Sequence, residues 1–304
     1  MIESILHFSL PFVAIGFLFL ALLVHKRAFS APGWILIAGY CYFEAGDYLA
    51  QDERFDASLV LVLLALSLIL AFIMLRPTLS ERREEDSLYT LTKIALIAAV
   101  FYFPFAEITF LGDSLIYITA KITAIVLNIF NVGVYMVPPS GIYTTDSSFH
   151  AIYRLQPITI ILACTAIQGM VIFIGLIFGV KAPIRRKLKA FFVSVPVIYV
   201  LNIVRDVFVS AAYFENLFGP PLDSFFIAHR EIARIAIEYG LVVLPINSPI
   251  NSFDFAHGMI ARIAALIALI AIAYAVFKIL PEALDFVEDF IAALKSSFRV
   301  HKAI

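Results

Sequence analysis

ASLVLVLLALSLILAFIML, residues 57–75, decides the architecture: these nineteen residues carry no charge, and their only polar side chains are two serines. About twenty apolar residues at ~1.5 Å rise match the ~30 Å hydrocarbon layer of a bilayer, so this run predicts a helix that crosses a membrane. Working outward, six further stretches of similar character lie at about 5–24, 33–50, 91–111, 158–180, 189–209 and 255–277. Composition agrees. Apolar types make up 62% of the 304 residues and charged types 15%, with a mean hydropathy of +0.97, whereas soluble domains carry roughly 25% charged residues. No water-soluble fold hides that much hydrocarbon, so a soluble globular protein and a disordered chain are excluded, and a formal net charge of -1 excludes a nucleic-acid binder living off a basic field. The expected fold class is all-α: a polytopic membrane helix bundle with about seven transmembrane helices, plus interfacial helices and an extracytoplasmic loop or hairpin. The first run, 5–24, has no basic leader before it and is expected as a span, not a cleaved signal.

Basic residues resist translocation and gather in cytoplasmic loops, so their placement sets the orientation. Segments 25–32, 76–93, 181–189 and 278–304 hold 15 of the 22 Lys and Arg. They share one side only if seven spans cross, which puts the N-terminus outside and the C-terminus inside. Two more apolar stretches, 113–136 and 222–244, are not counted. In 113–136, Ser114, Tyr117, Lys121, Ala124, Asn128 and Asn131 recur at spacings of three and four, a small or polar stripe expected of a helix lying in the interface. Counting it as a span would move the cluster KAPIRRKLK outside.

The chain is expected to form a single membrane domain over 1–304: a four-span part over 1–111, an extracytoplasmic loop with an interfacial helix over 112–157, a three-span part over 158–280 and a cytoplasmic tail over 281–304. Within the loop, PPSGIYTTDSSFHAIY (138–153) alternates aromatic and polar residues after Pro-Pro and Ser-Gly breaks, the signature of a turn and short hairpin. A phrase is duplicated: SFFIAHREIARIA (224–236) and SFDFAHGMIARIA (252–264) agree at nine of thirteen positions. No glycine-rich phosphate loop and no His or Cys pairs at metal spacing occur, so neither a cofactor nor a metal is expected. Cys41 and Cys164 are too few for a disulfide framework.

Ionisable groups inside hydrocarbon are costly, about 3 kcal/mol for an arginine at a helix centre, and each is a candidate for function. Glu44 and Asp47, three apart in the second span, read first as counter-ions for arginines and otherwise as cation or substrate contacts. Glu107, near the end of the fourth span, reads as interfacial. Cys164, Arg205 and His257 belong to three successive spans, each near the outer boundary. A thiolate attacks, an imidazole takes and returns a proton, and a guanidinium stabilises an oxyanion. Together they are the equipment of acyl transfer; singly, each is an ordinary core or interfacial residue.

At these positions the sequence resembles the exosortase and archaeosortase superfamily, most closely its archaeosortase A branch. The resemblance is carried by CTAIQ at 164–168, NIVRD at 202–206 and FAHGMIARI at 255–263, in the family order Cys, Arg, His. It implies a membrane cysteine peptidase or transpeptidase acting on the C-terminal tails of secreted and surface-layer proteins, which carry a Pro-Gly-Phe motif, a transmembrane helix and a basic tail. By similarity Cys164 forms a thioester, Arg205 steadies the oxyanion, His257 shuttles the proton, and a membrane lipid accepts the protein. Some archaeosortases carry Arg at the third position, and this chain offers His257, Arg262 and, in the first copy of the duplicated phrase, His229. The competing class is a transporter or channel lined by Glu44, Asp47, Glu107, Arg205 and Arg262; a non-catalytic scaffold is a third.

Overall fold

The computed structural model describes residues 2–50, 54–75, 82–146, 157–238 and 249–299. In chain order the helices are α1 (Ile2–Val24), α2 (Ser30–Ala50), α3 (Arg54–Leu75), α4 (Arg82–Glu107) and α5 (Thr109–Ile129). Strands β1 (Val134–Val137), β2 (Gly141–Thr144) and β3 (Ile158–Thr159) follow, then α6 (Ile167–Gly179), α7 (Ile184–Phe214), α8 (Gly219–Ala228), α9 (Arg230–Glu238), α10 (Pro249–Phe255), α11 (Arg262–Ile279) and α12 (Pro281–Arg299). By length and composition 57–75, 85–107, 109–129, 184–214 and 249–279 qualify as membrane spans, and 8–24 and 167–179 are shorter apolar helices. The chain is an all-α membrane bundle.

The helices gather in two compact units. One holds 1–108, 171–192 and 275–304. Its core joins Leu18 of α1, Trp34 of α2, Leu70, Ile73 and Met74 of α3 and Leu88 of α4, with Phe290 and Leu294 of α12 against them. The stretch expected as a tail is thus a packed helix as far as Arg299. Pro281 suits its first turn, and Phe286, Phe290 and Leu294 at fourfold spacing form its apolar stripe. Arg186 at the start of α7 is ion-paired with Glu282. Glu44, Asp47 and Glu107 also belong to this unit, where Glu44 is hydrogen-bonded to Tyr40 one turn earlier.

The second unit holds 109–170 and 193–274. Ala120, Ala124 and Leu127 of α5 pack with Val134, Ile142, Ile160, Tyr213 and Phe214. The expected hairpin is present as β1 and β2, antiparallel with Val137 opposite Gly141, and β3 extends it through Ile142–Ile158. Residues 147–156 of the hairpin phrase lie outside the described residues. Asn128 fixes the hairpin to its helix: its Nδ2 donates to the carbonyls of Ala124 and Val134, and its Oδ1 accepts from the Val134 amide.

The stretch 113–136, expected to hold an interfacial helix, holds most of a 21-residue helix, α5, whose length and composition also suit a span; Gly112, Thr119, Ala120, Thr123 and Ala124 on it are buried, while Lys121, Asn128 and Asn131 of the expected polar stripe are exposed. One expectation changes. The span expected at 158–180 is helical only from Ile167. The β-branched run at 158–160 pairs with the hairpin instead, and Ala166 takes a left-handed φ of 56° that interrupts the chain before the helix.

Helix α6 carries Gly175 and Gly179 one turn apart, and a Cβ at Gly179 would stand 2.3 Å from the Ile94 side chain and 3.2 Å from its Cα. Close helix contact in lipid depends on such small-xxx-small spacing. Gly179→Leu is expected to destabilise the protein by about 2 kcal/mol through overpacking, read as a lowered unfolding temperature in detergent, whereas Gly16→Ala, with open space around it, leaves it unchanged.

Candidate active site

Arg205 lies on α7, four residues after Leu201 and within the apolar run that ends at Phe214. A guanidinium there needs partners, because an unmet charge in a low-dielectric setting costs several kcal/mol. Two partners meet it. One terminal nitrogen is 2.8 Å from Nε2 of His257, and the other is 3.5 Å from Oδ1 of Asp206, whose side chain is 5% exposed. Arginine has no acceptor, so Nε2 of His257 must accept, and the imidazole is neutral with its proton on Nδ1.

The other oxygen of Asp206 accepts from Asn202 Nδ2 at 3.1 Å. The same Asn202 nitrogen also donates to the backbone carbonyl of Cys164. Residues 202, 205 and 206 share one helix face at spacings of three and four, so one turn of α7 holds the guanidinium, its counter-ion and the tie to the cysteine. The structure therefore brings Arg205 and His257 into direct contact and links Cys164 to the same turn through Asn202.

Cys164 is not on a helix. It sits in a 3-10 turn, Leu162–Thr165, that precedes the left-handed Ala166, and its amide donates to Ile161 O at 2.9 Å. The sequence placed it six residues inside a span; the fold places it on the turn before α6, half-buried against the cluster of α5 and the hairpin. A left-handed conformation at a non-glycine residue costs of order 1 kcal/mol and persists where neighbours over-determine it. Here Thr165, fully buried, closes the turn by donating to Leu162 O at 2.7 Å.

His257 lies in a π-helical turn, Ala256–Ala261, between α10 and α11. Such a turn inserts an extra residue per repeat and re-aims the side chains it carries. The ring of Phe253 stacks on the imidazole, 5.2 Å between centroids and 8° from parallel. Arg262, the third-position alternative, is exposed at the start of α11. His229 is exposed too, with its Nδ1 2.9 Å from Phe225 O and its ring stacked on Phe225 at 4.6 Å. The two copies of the duplicated phrase thus share a Phe–His stack but not its surroundings.

Ser252 explains the difference. It is fully buried, donates to Asn216 Oδ1 at 2.8 Å and accepts from the Phe218 amide at 3.0 Å. That fastens α10 to the loop leaving α7, the helix that carries Arg205, and Phe255 adds an edge contact to Phe218. The equivalent Ser224 donates within its own helix, to Pro220 O. Asn202 and Asp206 stand in the phrase NIVRD with no role legible from sequence beyond being two polar side chains in an apolar span. Nothing in the sequence singled out Ser252. Among the described residues no group of three or more His, Cys, Asp or Glu gathers as a metal would require.

Comparison with known proteins agrees with the family resemblance. Residues 4–229 match the family described as Transmembrane exosortase, a stretch that includes Cys164 and Arg205 and stops short of His257. The chain is 28% identical over 298 residues to Archaeosortase A of Natronomonas pharaonis, covering 92% of this chain and 84% of that protein. It is also 28% identical over 229 residues to Archaeosortase A of Haloferax volcanii, covering 67% of this chain and 66% of that protein, just under two thirds of its length. No solved structure matches.

Ser252→Ala is expected to cost about 2 kcal/mol, because it removes one hydrogen bond and leaves the Phe218 amide without its acceptor. Ser224→Ala is expected to stay within ~0.5 kcal/mol. Parallel thermal unfolding of the two variants checks the contrast.

Proposed function

We propose, for a chain that belongs to the transmembrane exosortase family and is therefore a membrane enzyme of peptidase or transpeptidase type that processes sorting signals, that Cys164 is the nucleophile of a thioester mechanism. The observation that carries this reading is the hydrogen bond between Arg205 and His257, on a helix turn that also grips the carbonyl of Cys164 through Asn202.

In the resting arrangement Arg205 occupies the basic nitrogen of His257. Asp206 holds the other end of the guanidinium, leaving further N–H donors for a substrate carbonyl. As the Cys164 sulfur bonds to the scissile carbonyl carbon, negative charge collects on the carbonyl oxygen and draws the guanidinium toward it. That frees Nε2 of His257 to take the thiol proton. Collapse of the tetrahedral intermediate breaks the carbon–nitrogen bond, the proton passes from His257 to the leaving amine, and an acyl group remains on sulfur. An incoming hydroxyl then repeats the sequence in reverse and restores the thiol.

The substrate under this reading is the C-terminal tail of a secreted surface protein, with a Pro-Gly-Phe motif, an apolar helix and a basic end; a membrane lipid is the acceptor. The charge distribution of the loops supports an extracytoplasmic site, the side at which such a tail arrives. His257 takes the third position, ahead of Arg262 and His229, since its ring is the one that meets Arg205.

Co-expression with a reporter ending in such a tail tests the assignment. Cys164→Ala is expected to leave the reporter full length, and Arg205→Lys to lower the rate by about 10²-fold or more, the scale of losing one oxyanion donor. His257→Ala is expected to abolish processing that His229→Ala retains. Normal cleavage by Cys164→Ala would refute the mechanism; loss with Arg262→Ala and retention with His257→Ala would move the third role to Arg262.

A further inference from the structure

Asp206 lies out of a substrate's reach: its side chain is 5% exposed against 24% for that of Arg205, and Asn202 beside it is buried too. Whatever it contributes to a reaction therefore passes through its neighbours. Oδ1 meets Arg205 at 3.5 Å. Oδ2 accepts at 3.1 Å from Asn202 Nδ2, the nitrogen that also donates to the Cys164 carbonyl. The first contact is no by-product of helix geometry, since consecutive residues on a helix do not face each other; both side chains must lean together to make it.

Hydrogen-bond polarity fixes the identity of the atoms along this chain of contacts. The two N–H groups of Asn202 are both engaged, by the Cys164 carbonyl and by Asp206, so its amide cannot turn over without setting its oxygen against two other oxygens. Arg205 offers only donors. Position 206 therefore needs two acceptors and no donor on a short side chain, and only an ionised aspartate supplies them. Packing alone makes no such demand, because asparagine has nearly the same shape.

We propose that Asp206 is a positioning residue of the reaction: one oxygen holds the Arg205 cation, the other holds the Cys164 turn through Asn202, and together they set the separation between oxyanion donor and nucleophile. This rests on the thioester reading of Cys164 and Arg205. At 3.5 Å the ion pair is longer than a direct charge-assisted hydrogen bond, so the guanidinium keeps room to swing toward a carbonyl oxygen while its point of departure stays fixed. Misplacing reacting groups by about 1 Å can cost ~10²-fold in rate, which sets the scale of the effect.

The test is steady-state cleavage of the purified reporter by the full-length protein in phospholipid–detergent micelles, each variant compared as a monodisperse protein by gel filtration. Asp206→Asn leaves one acceptor where two are needed, so either Arg205 or Asn202 faces a donor, and kcat is expected to fall about 10²-fold. KM is expected to change by less than about two-fold, the split that marks a contact felt in the transition state. Asn202→Ala cuts the same tie without removing a charge and is expected to give the same split, so it decides the matter where Asp206→Asn does not fold. The exchange of Asn202→Asp with Asp206→Asn keeps a carboxylate in the turn and a donor–acceptor link between the two positions, but sets an oxygen against the Cys164 carbonyl; kcat is expected to stay low. Recovery of kcat in the exchange means a counter-ion only and overturns the proposal, as does a wild-type kcat in Asp206→Asn or Asn202→Ala, or a loss carried by KM. Cys164→Ala runs in the same assay. Cleavage by that variant sinks the thioester reading, whereas its inactivity beside a wild-type kcat in Asp206→Asn sinks the positioning role alone.

Discussion

A guanidinium inside a membrane-spanning helix is tolerated only where its charge and its donors are met by the protein, and Arg205 imposes that condition on everything around it. Asp206 supplies the counter-charge from the next position on the same turn, and His257 supplies an acceptor from another helix. Asp206, buried in its turn, needs a donor for its second oxygen, which is the reason Asn202 stands four residues earlier. Satisfying one buried ion thus recruits three side chains, and the last of them reaches the backbone of Cys164. A half-satisfied network of this kind would be worse than an apolar core. The same chain of requirements that lets the charge exist also brings a thiol, a cation and a base within one neighbourhood.

The hairpin and α5 serve that neighbourhood from the other side. Cys164 lies on a turn, not a helix, and its position is held by the left-handed Ala166, by the Thr165 hydroxyl and by packing on the cluster of Ala124, Leu127 and Ile142. A thiol on a tight turn is free of the i±3 and i±4 neighbours that would flank it inside a helix. The cost is local strain, held by the fully buried Thr165.

The duplicated phrase shows how little of a site resides in a motif. Both copies stack a phenylalanine on a histidine four residues later, an arrangement fixed by helix geometry. Only the second is docked, because Ser252 finds acceptor and donor in the loop after α7 while Ser224 folds back on its own helix. Two similar phrases come to different surroundings, one of them through a buried hydroxyl.

Composition and period by themselves determined that this chain is an all-α membrane bundle, since 62% apolar residues in runs of about twenty have no other stable arrangement. They also marked Glu44, Asp47, Glu107, Cys164, Arg205 and His257 as candidates, because polar and ionisable groups in apolar runs stand out against their background. What one-dimensional reading left open was whatever depends on a partner distant in sequence. Ala124 of α5 stood in an expected polar stripe and is buried together with Thr119 and Thr123; the 158–160 run looked like the start of a helix and joins a sheet, its period too short to tell strand from span. Asn202 and Asp206 were visible as letters and gained roles only when the carbonyl of Cys164, 38 residues away in the chain, was folded against them. The tertiary structure also separated His257 from His229, because the hydroxyl that docks one copy and not the other meets its partners on a different helix and loop.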